Sequence, residues 1–180
     1  MRIVGGSLGG RVLRAPAGAA TRPTSEKVRQ ALFNILGDLE GDHVLDLFAG
    51  SGALGIEALS RGAASATFVD LAKPALASIK GNLADLGCAT RATILAGDAV
   101  SLAARHQPAA LYRVVFVDPP YRTDLAERAV AALPLTSLAA HAVIVIEHDG
   151  RTLPPEHLGS LIRTDHRRYG DTHLSFYEVP

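Results

Sequence analysis

The sequence predicts an α/β fold: a doubly wound, mostly parallel sheet with a C-terminal antiparallel hairpin, preceded by an N-terminal β-hairpin plus helix extension. Two observations carry this. Short continuous apolar runs at 44–48, 66–69, 92–95, 114–117 and 142–146 alternate with helical segments, the pattern of parallel strands buried on both faces and wound by right-handed crossovers. The alternation stops after Glu147, where two extended runs, about 160–169 and 174–179, are joined only by a turn at Gly170-Asp171.

Taken in order, Ile3-Val4 and Val12-Leu13 flank a glycine-rich stretch from Gly5 to Gly10, which predicts a short hairpin. Thr24 is the expected N-cap of a first helix. Val28, Ala31, Leu32, Ile35 and Leu36 follow at helical spacing, and Gly37 is its stop. Further helices are expected to about Arg61, over 72–86, to about His106 and over 124–133. Residues 1–23 read as a basic arm and 24–180 as one main domain, in keeping with roughly 100–200 residues per domain.

The 180 residues balance 18 Lys and Arg against 18 Asp and Glu, yet the balance is uneven along the chain. The first thirty residues hold Arg2, Arg11, Arg14, Arg22, Lys27 and Arg29 against Glu26 alone, a net +5, which leaves −5 on the rest. A basic arm on an acidic body favours phosphate contacts. Cys88 is the single cysteine, so an internal disulfide and a structural zinc site are excluded, and a reducing cytosol is the expected location. No apolar run approaches the about 20 residues of a membrane span, so a soluble protein is expected, and a monomer is the default.

In an open α/β sheet the ligand sits beyond the carboxyl ends of the strands. There the sequence places Asp46-Leu47-Phe48-Ala49-Gly50-Ser51-Gly52-Ala53-Leu54-Gly55, then Asp70, then Gly97-Asp98-Ala99, then Asp118-Pro119-Pro120-Tyr121. The run from Gly50 to Gly55 fits GxGxxG, and Asp70 stands 18 residues beyond Gly52, where a ribose-binding acid belongs. Taken alone this suggests NAD. Asp46 argues otherwise, because a buried anion beside the loop repels a pyrophosphate and balances a cation. S-adenosylmethionine carries an ammonium, a sulfonium and a carboxylate and no phosphate. The loop amides suit its carboxylate and Asp46 its ammonium, with Asp70 on the ribose hydroxyls and Asp98 on the adenine amine. Asp98 is equally well an ordinary N-cap.

Asp118-Pro119-Pro120-Tyr121 is the most informative stretch. Pro119 holds Asp118 extended, and two consecutive prolines remove two donors while keeping their carbonyls. The Asp118 carboxylate and a carbonyl such as that of Pro119 then make an acceptor pair suited to an exocyclic –NH₂. Tyr121 offers a ring for a base to stack on.

These motifs resemble those of class I S-adenosylmethionine-dependent (Rossmann-like) methyltransferases, and specifically the RsmD family, which methylates N2 of a guanine in bacterial 16S rRNA. The resemblance runs through Arg2 to Gly6, Arg22 to Asn34, Asp46 to Gly55, Asp118 to Tyr121 and Tyr169-Gly170-Asp171-Thr172, with the Arg22-Pro23-Thr24 helix the more specific signature. It implies that Asp118, Pro119, Pro120 and Tyr121 form the catalytic corner, and that Asp46, Phe48, Ala49, Gly50, Ser51, Gly52, Asp70, Leu71, Asp98 and Ala99 hold the cofactor. It also implies a 16S rRNA substrate within the assembled 30S subunit and no metal. Asp70 departs from the family's commoner Glu, which implies a looser hold on ribose. Arg22 and Thr24 are expected beside the site, and the Arg2, Arg11 and Arg14 hairpin is expected to grip rRNA. Another amine acceptor, DNA adenine N6 or a protein side chain, stays open, although Asp rather than Asn before Pro-Pro and the basic arm weigh against it. A hydride-transfer enzyme or a non-catalytic binding module has no use for Asp118-Pro119-Pro120-Tyr121. The glycine before Ser51 is adjacent to it, which disfavours a hydrolase nucleophile elbow. His141, His148, His157, His166 and His173 show no metal-ligand spacing on one helix, and surface or capping roles are expected for them.

Overall fold

A computed structural model describes residues 1–17, 24–120, 123–151 and 153–179. Eight strands form one sheet: β1 His43–Leu47, β2 Ser65–Asp70, β3 Ala92–Ala96, β4 Tyr112–Val117, β5 Leu138–Asp149, β6 His157–Leu158, β7 Leu161–Tyr169 and β8 Thr172–Glu178. Their order is β3-β2-β1-β4-β5-β8-β7-β6. The pairs from β3 through β5 are parallel, and β5·β8, β8·β7 and β7·β6 are antiparallel. The chain winds outward from β1 to β3, then returns to β4 on the other side of β1. The switch point therefore lies between β1 and β4, where such sheets bind ligands.

Among the described residues five helices, α1 Glu26–Leu36, α2 Ala53–Ser60, α3 Lys73–Asp85, α4 Ala99–Arg105 and α5 Leu125–Ala132, cover the two faces. Strand alternation divides the buried side chains into two cores. Val44, Phe68, Phe116 and Val145 pack with Leu32 and Phe33 of α1, Ile56 of α2 and Ile79 of α3, together with Ile3 and Leu13 of the arm. Leu45, Val69, Val115 and Ile146 pack on the other face with α4 and α5. Gly55 lets α2 lie directly on β2: a Cβ there would stand 2.4 Å from the Phe68 ring.

The expected short hairpin of the arm is minimal: it closes through one antiparallel bridge, Arg2 to Val12, around a 3₁₀ turn at Gly6–Leu8, with the Ile3 amide donating to the Arg11 carbonyl and the Leu13 amide to the Met1 carbonyl, both at 2.9 Å. Gly6 and Gly10 take left-handed φ values of 73° and 82°, which breaks any longer ladder. The N-cap of α1 is Ser25, whose hydroxyl accepts from the Val28 amide at 3.3 Å, and not Thr24. β5 begins four residues earlier than the apolar run and carries an irregularity opposite Tyr112 and Val114. The edge strand β6 was not anticipated either, being only two residues long. Cys88 is buried beyond α3 and free, as a small apolar residue would be. Among the described residues no helix is long and apolar enough to cross a membrane.

Candidate active site

The site forms where β1 and β4 part. β1 ends at Leu47, and Phe48 then takes a φ of 62°, a left-handed conformation that is strained for a bulky residue. Gly50 and Gly52 follow with φ of 56° and 79°, so the chain folds back sharply into α2. The turn is tied on several sides. The Ala49 amide donates to the Val69 carbonyl at 3.0 Å and the Gly52 amide to the Ala49 carbonyl at 2.7 Å. The Gly50 amide donates to Asp70 Oδ2 at 2.8 Å and the Gly55 amide to Asp46 Oδ2 at 2.9 Å. Among the described residues, the amides of Ser51, Ala53 and Leu54 receive no such bond, and these remain to meet an anionic group.

Asp46 is buried, and burial pushes its carboxyl up to about 8, with the nearby Asp70 charge adding to the rise. Asp70 is half-buried, and its second oxygen accepts from the Ala72 amide at 2.8 Å. Leu71 beside it is 72% exposed, an apolar surface with nothing over it. Asp98 caps α4 through Ser101 at 2.8 Å, and that bond holds its carboxyl below the usual range. Ala99, the next residue, is buried under α4.

Leu47 pairs with Val117 and Val117 with Ile146, so Phe48, Asp118 and Glu147 stand side by side at this end of the sheet, the last of them still within β5. Asp118 is half-buried and Pro119 buried. Desolvation, then Glu147, then Asp46 raise the Asp118 carboxyl well above its ordinary value. The Pro120 carbonyl accepts from Thr123 Oγ1 at 2.9 Å, whereas no donor among the described residues reaches the Pro119 carbonyl. Tyr121 and Arg22 lie outside the described residues.

Thr24 reaches the site although it is not the cap: its hydroxyl donates to Glu147 Oε2 at 2.6 Å, both groups being buried. Arg2, Arg11 and Arg14 are exposed, but each is engaged. Arg2 donates to the Gly10 carbonyl at 3.0 Å, Arg11 to the Asp85 carbonyl at 3.2 Å, and Arg14 pairs with Asp85 at 2.6 Å. The turn between them packs on Ser60, at the far end of α2 from the glycine bend.

Four residues that sequence reasoning passed over complete the arrangement. Glu147 directly follows the apolar run 142–146, as Asp118 follows that of β4, and that rule would have found it although β5 itself continues to Asp149. Arg29 is fully buried in α1, where it donates to the Arg2 carbonyl and lies 3.3 Å from the Met1 sulfur. Burial lowers its pKa, while Glu57, Glu26 and Glu147 oppose the shift. Glu57 accepts from the Val4 and Gly5 amides, both at 2.8 Å, which pins the arm to α2. Asn82 of α3 holds the Ser51 carbonyl at 2.9 Å while bonding both backbone groups of Arg14. No local pattern marks the last three.

The family described as conserved hypothetical protein 95 matches residues 1–178. The chain is 39% identical over 183 residues to a putative rRNA methyltransferase, YlbH, of Bacillus subtilis, covering 99% of this chain and 98% of that one. It is 41% identical over 151 residues to ribosomal RNA small subunit methyltransferase D of Escherichia coli, covering 83% of this chain and 75% of the relative. Among solved structures, a putative methyltransferase, yhhF, from Escherichia coli superposes with a TM-score of 0.81 at 34% identity, covering 99% of this chain and 97% of that one. A putative methylase from Haemophilus influenzae gives 0.79 at 31% identity, over 98% and 97%. Matched almost end to end in sequence and in the path of its sheet, the chain belongs to the RsmD family and is an enzyme, a methyltransferase of the class I fold.

Proposed function

We propose that the enzyme transfers a methyl group from S-adenosylmethionine to the exocyclic N2 amine of a guanine in 16S rRNA, within the assembled small ribosomal subunit and hence in the cytoplasm. The observation that carries this reading is the acceptor-only corner at the end of β4. A desolvated acid, Asp118, leaves the sheet beside the glycine bend, followed by Pro119, which has no amide to donate and whose carbonyl no donor among the described residues engages.

The cofactor supplies an electrophilic methyl carbon on a cationic sulfur. The residues around the bend fit such a cation. Asp46, Asp118 and Glu147 crowd carboxyls onto one face, and burial raises the first two, so a positive ligand relieves their repulsion. The amides of Ser51, Ala53 and Leu54 suit a carboxylate. Each Asp70 oxygen, though bonded to an amide, keeps a lone pair for a ribose hydroxyl, and the open face of Leu71 suits a flat ring.

The enzyme's own part is to present the nucleophile. A guanine amine is planar because its lone pair is delocalised into the ring. Asp118 Oδ and the Pro119 carbonyl accepting its two N–H groups favour a pyramidal nitrogen whose lone pair points away from both. To accept rather than donate, Asp118 must be ionised, which a neighbouring cation promotes. Once nitrogen has formed its new bond, the excess proton passes to Asp118. By the family resemblance Tyr121 stacks on the base. Positioning of this kind is worth roughly 7–11 kcal/mol in well-oriented reactions, and no metal is needed. Among the described residues no His, Cys, Asp and Glu grouping is spaced to hold one.

The test is incubation with labelled S-adenosylmethionine and, separately, small subunits lacking the modification, naked 16S rRNA and DNA, followed by mass mapping of the methylated nucleotide. Label in a single guanine of the subunit is expected. Label confined to DNA refutes the reading.

A further inference from the structure

Histidines 148, 166 and 173 are scattered in the sequence, and strand pairing collects them. His148 of β5 pairs across with His173 of β8, and His166 of β7 pairs with Ser175 two residues along β8. Facing residues share a side of the sheet, so all three rings project from the face opposite Asp118. Their centroids lie 5.1–5.8 Å apart, with the His166 and His173 rings stacked and joined by a 3.0 Å contact between Nε2 and Nδ1. His148 is held by Ser175 Oγ at 3.0 Å and the Asp149 carbonyl at 2.8 Å. Gly150 leaves room for the stack, since a Cβ there would stand 2.3 Å from His173 Nε2.

The stack opens at the sheet edge where the catalytic corner lies, because β5 ends there and β8 begins there. In the order β4-β5-β8-β7, and at about 4.8 Å per strand, it lies about 5–15 Å from the Asp118 strand. Arg168, paired with His173, adds a permanent cation on the same face. Asp165 instead pairs with Phe176, whose side chain belongs to the other core, and there it binds Arg167 at 2.8 Å. The Tyr169-Gly170-Asp171-Thr172 motif is the turn that presents this surface.

We propose that the His148–His173–His166 stack with Arg168 is a second RNA-docking surface, taking backbone phosphates of the strand that flanks the target base. It rests on the functional reading above and adds to it a binding surface distinct from the N-terminal arm. Burial and the neighbouring rings hold His148 and His166 below their ordinary range, with Arg163 acting in the same sense on His166 while Asp149 and Asp165 oppose the shifts. An arriving phosphate stabilises the imidazolium, so docking takes up a proton and tightens as pH falls.

The experiment compares wild type with a His166→Gln/His173→Gln double variant, using small ribosomal subunits lacking the modification as the probe at pH 6 and pH 8 over a salt series, with S-adenosylmethionine binding measured alongside. The variant is expected to bind the subunits about tenfold more weakly at pH 6, with a salt slope shallower by about one, and to match wild type more closely at pH 8. Its cofactor affinity should be unchanged, which excludes unfolding. Wild-type affinity, slope and pH profile in the variant overturn the surface alone. Absence of subunit binding by wild type, with cofactor binding intact, overturns the functional reading together with it.

Discussion

Asp46→Asn should reshape the pH dependence of stability in the ligand-free enzyme. The Asp46 carboxyl stands at about 8 in the folded chain, against about 3.9 when unfolded. Between those values the native state holds a proton that the unfolded state has released, so stability falls as pH rises and levels off above pH 8. At about 1.4 kcal/mol per pH unit, with half-titration near 8, the loss between pH 6 and pH 9 is about 2–3 kcal/mol. For a chain of this size that is about 5–10 °C in Tm. An asparagine retains the oxygen that accepts from Gly55 and has nothing to titrate. Thermal melts of the two proteins at pH 6, 7, 8 and 9 therefore should diverge, the variant gaining on wild type with each step. Asp118 is common to both, but the Asp46 charge raises its carboxyl, so the difference reports Asp46 together with its effect on that neighbour. Parallel curves would show that the carboxyl is already ionised at neutral pH, which refutes the reasoning that burial and the neighbouring acid hold its proton.

Four further outcomes are expected. Binding of S-adenosylmethionine at pH 7 should release protons, because a cation lowers the Asp46 and Asp118 carboxyls; calorimetry in buffers of different ionisation enthalpy reads this, and buffer-independent heat contradicts it. Asp118→Asn should lower methyl transfer by about 10²–10³, the scale of one lost electrostatic contact in a transition state, and cofactor affinity by far less; comparable loss of both would mean a damaged fold. Thr24→Val removes the 2.6 Å bond to Glu147 and should cost about 1.5–3 kcal/mol in urea unfolding, whereas a loss under about 0.5 kcal/mol would make Thr24 a bystander. Arg11→Glu with Arg14→Glu should weaken binding to the small subunit and leave cofactor affinity within about twofold, as expected for phosphate contacts; unchanged subunit binding would remove the arm from the interface.

Much of this site was legible because it is local. Asp46 and Asp70 stand at the carboxyl ends of β1 and β2, the glycine bend and Asp118-Pro119-Pro120 follow β1 and β4, and a parallel sheet lines up its strand ends without further information. The helix cap was misread because Thr24 and Ser25 offer nearly the same chemistry to the backbone, and the choice fell to Ser25 once Glu147 claimed Thr24. Glu147 and Asn82 act on partners 123 and 31 residues away, and nothing in their neighbours announces those contacts. The histidines looked unrelated for the same reason.

Periodicity, turn chemistry and acids at strand ends are properties of neighbouring residues, and they carried the layered α/β fold, the cofactor bend and the acceptor corner. The clamp of α1 on Glu147, the tie from the arm through Asn82 to the glycine bend, and the imidazole stack depend on which strands lie beside which. That pairing is set by the burial of two whole cores at once, so it exists only in the folded chain.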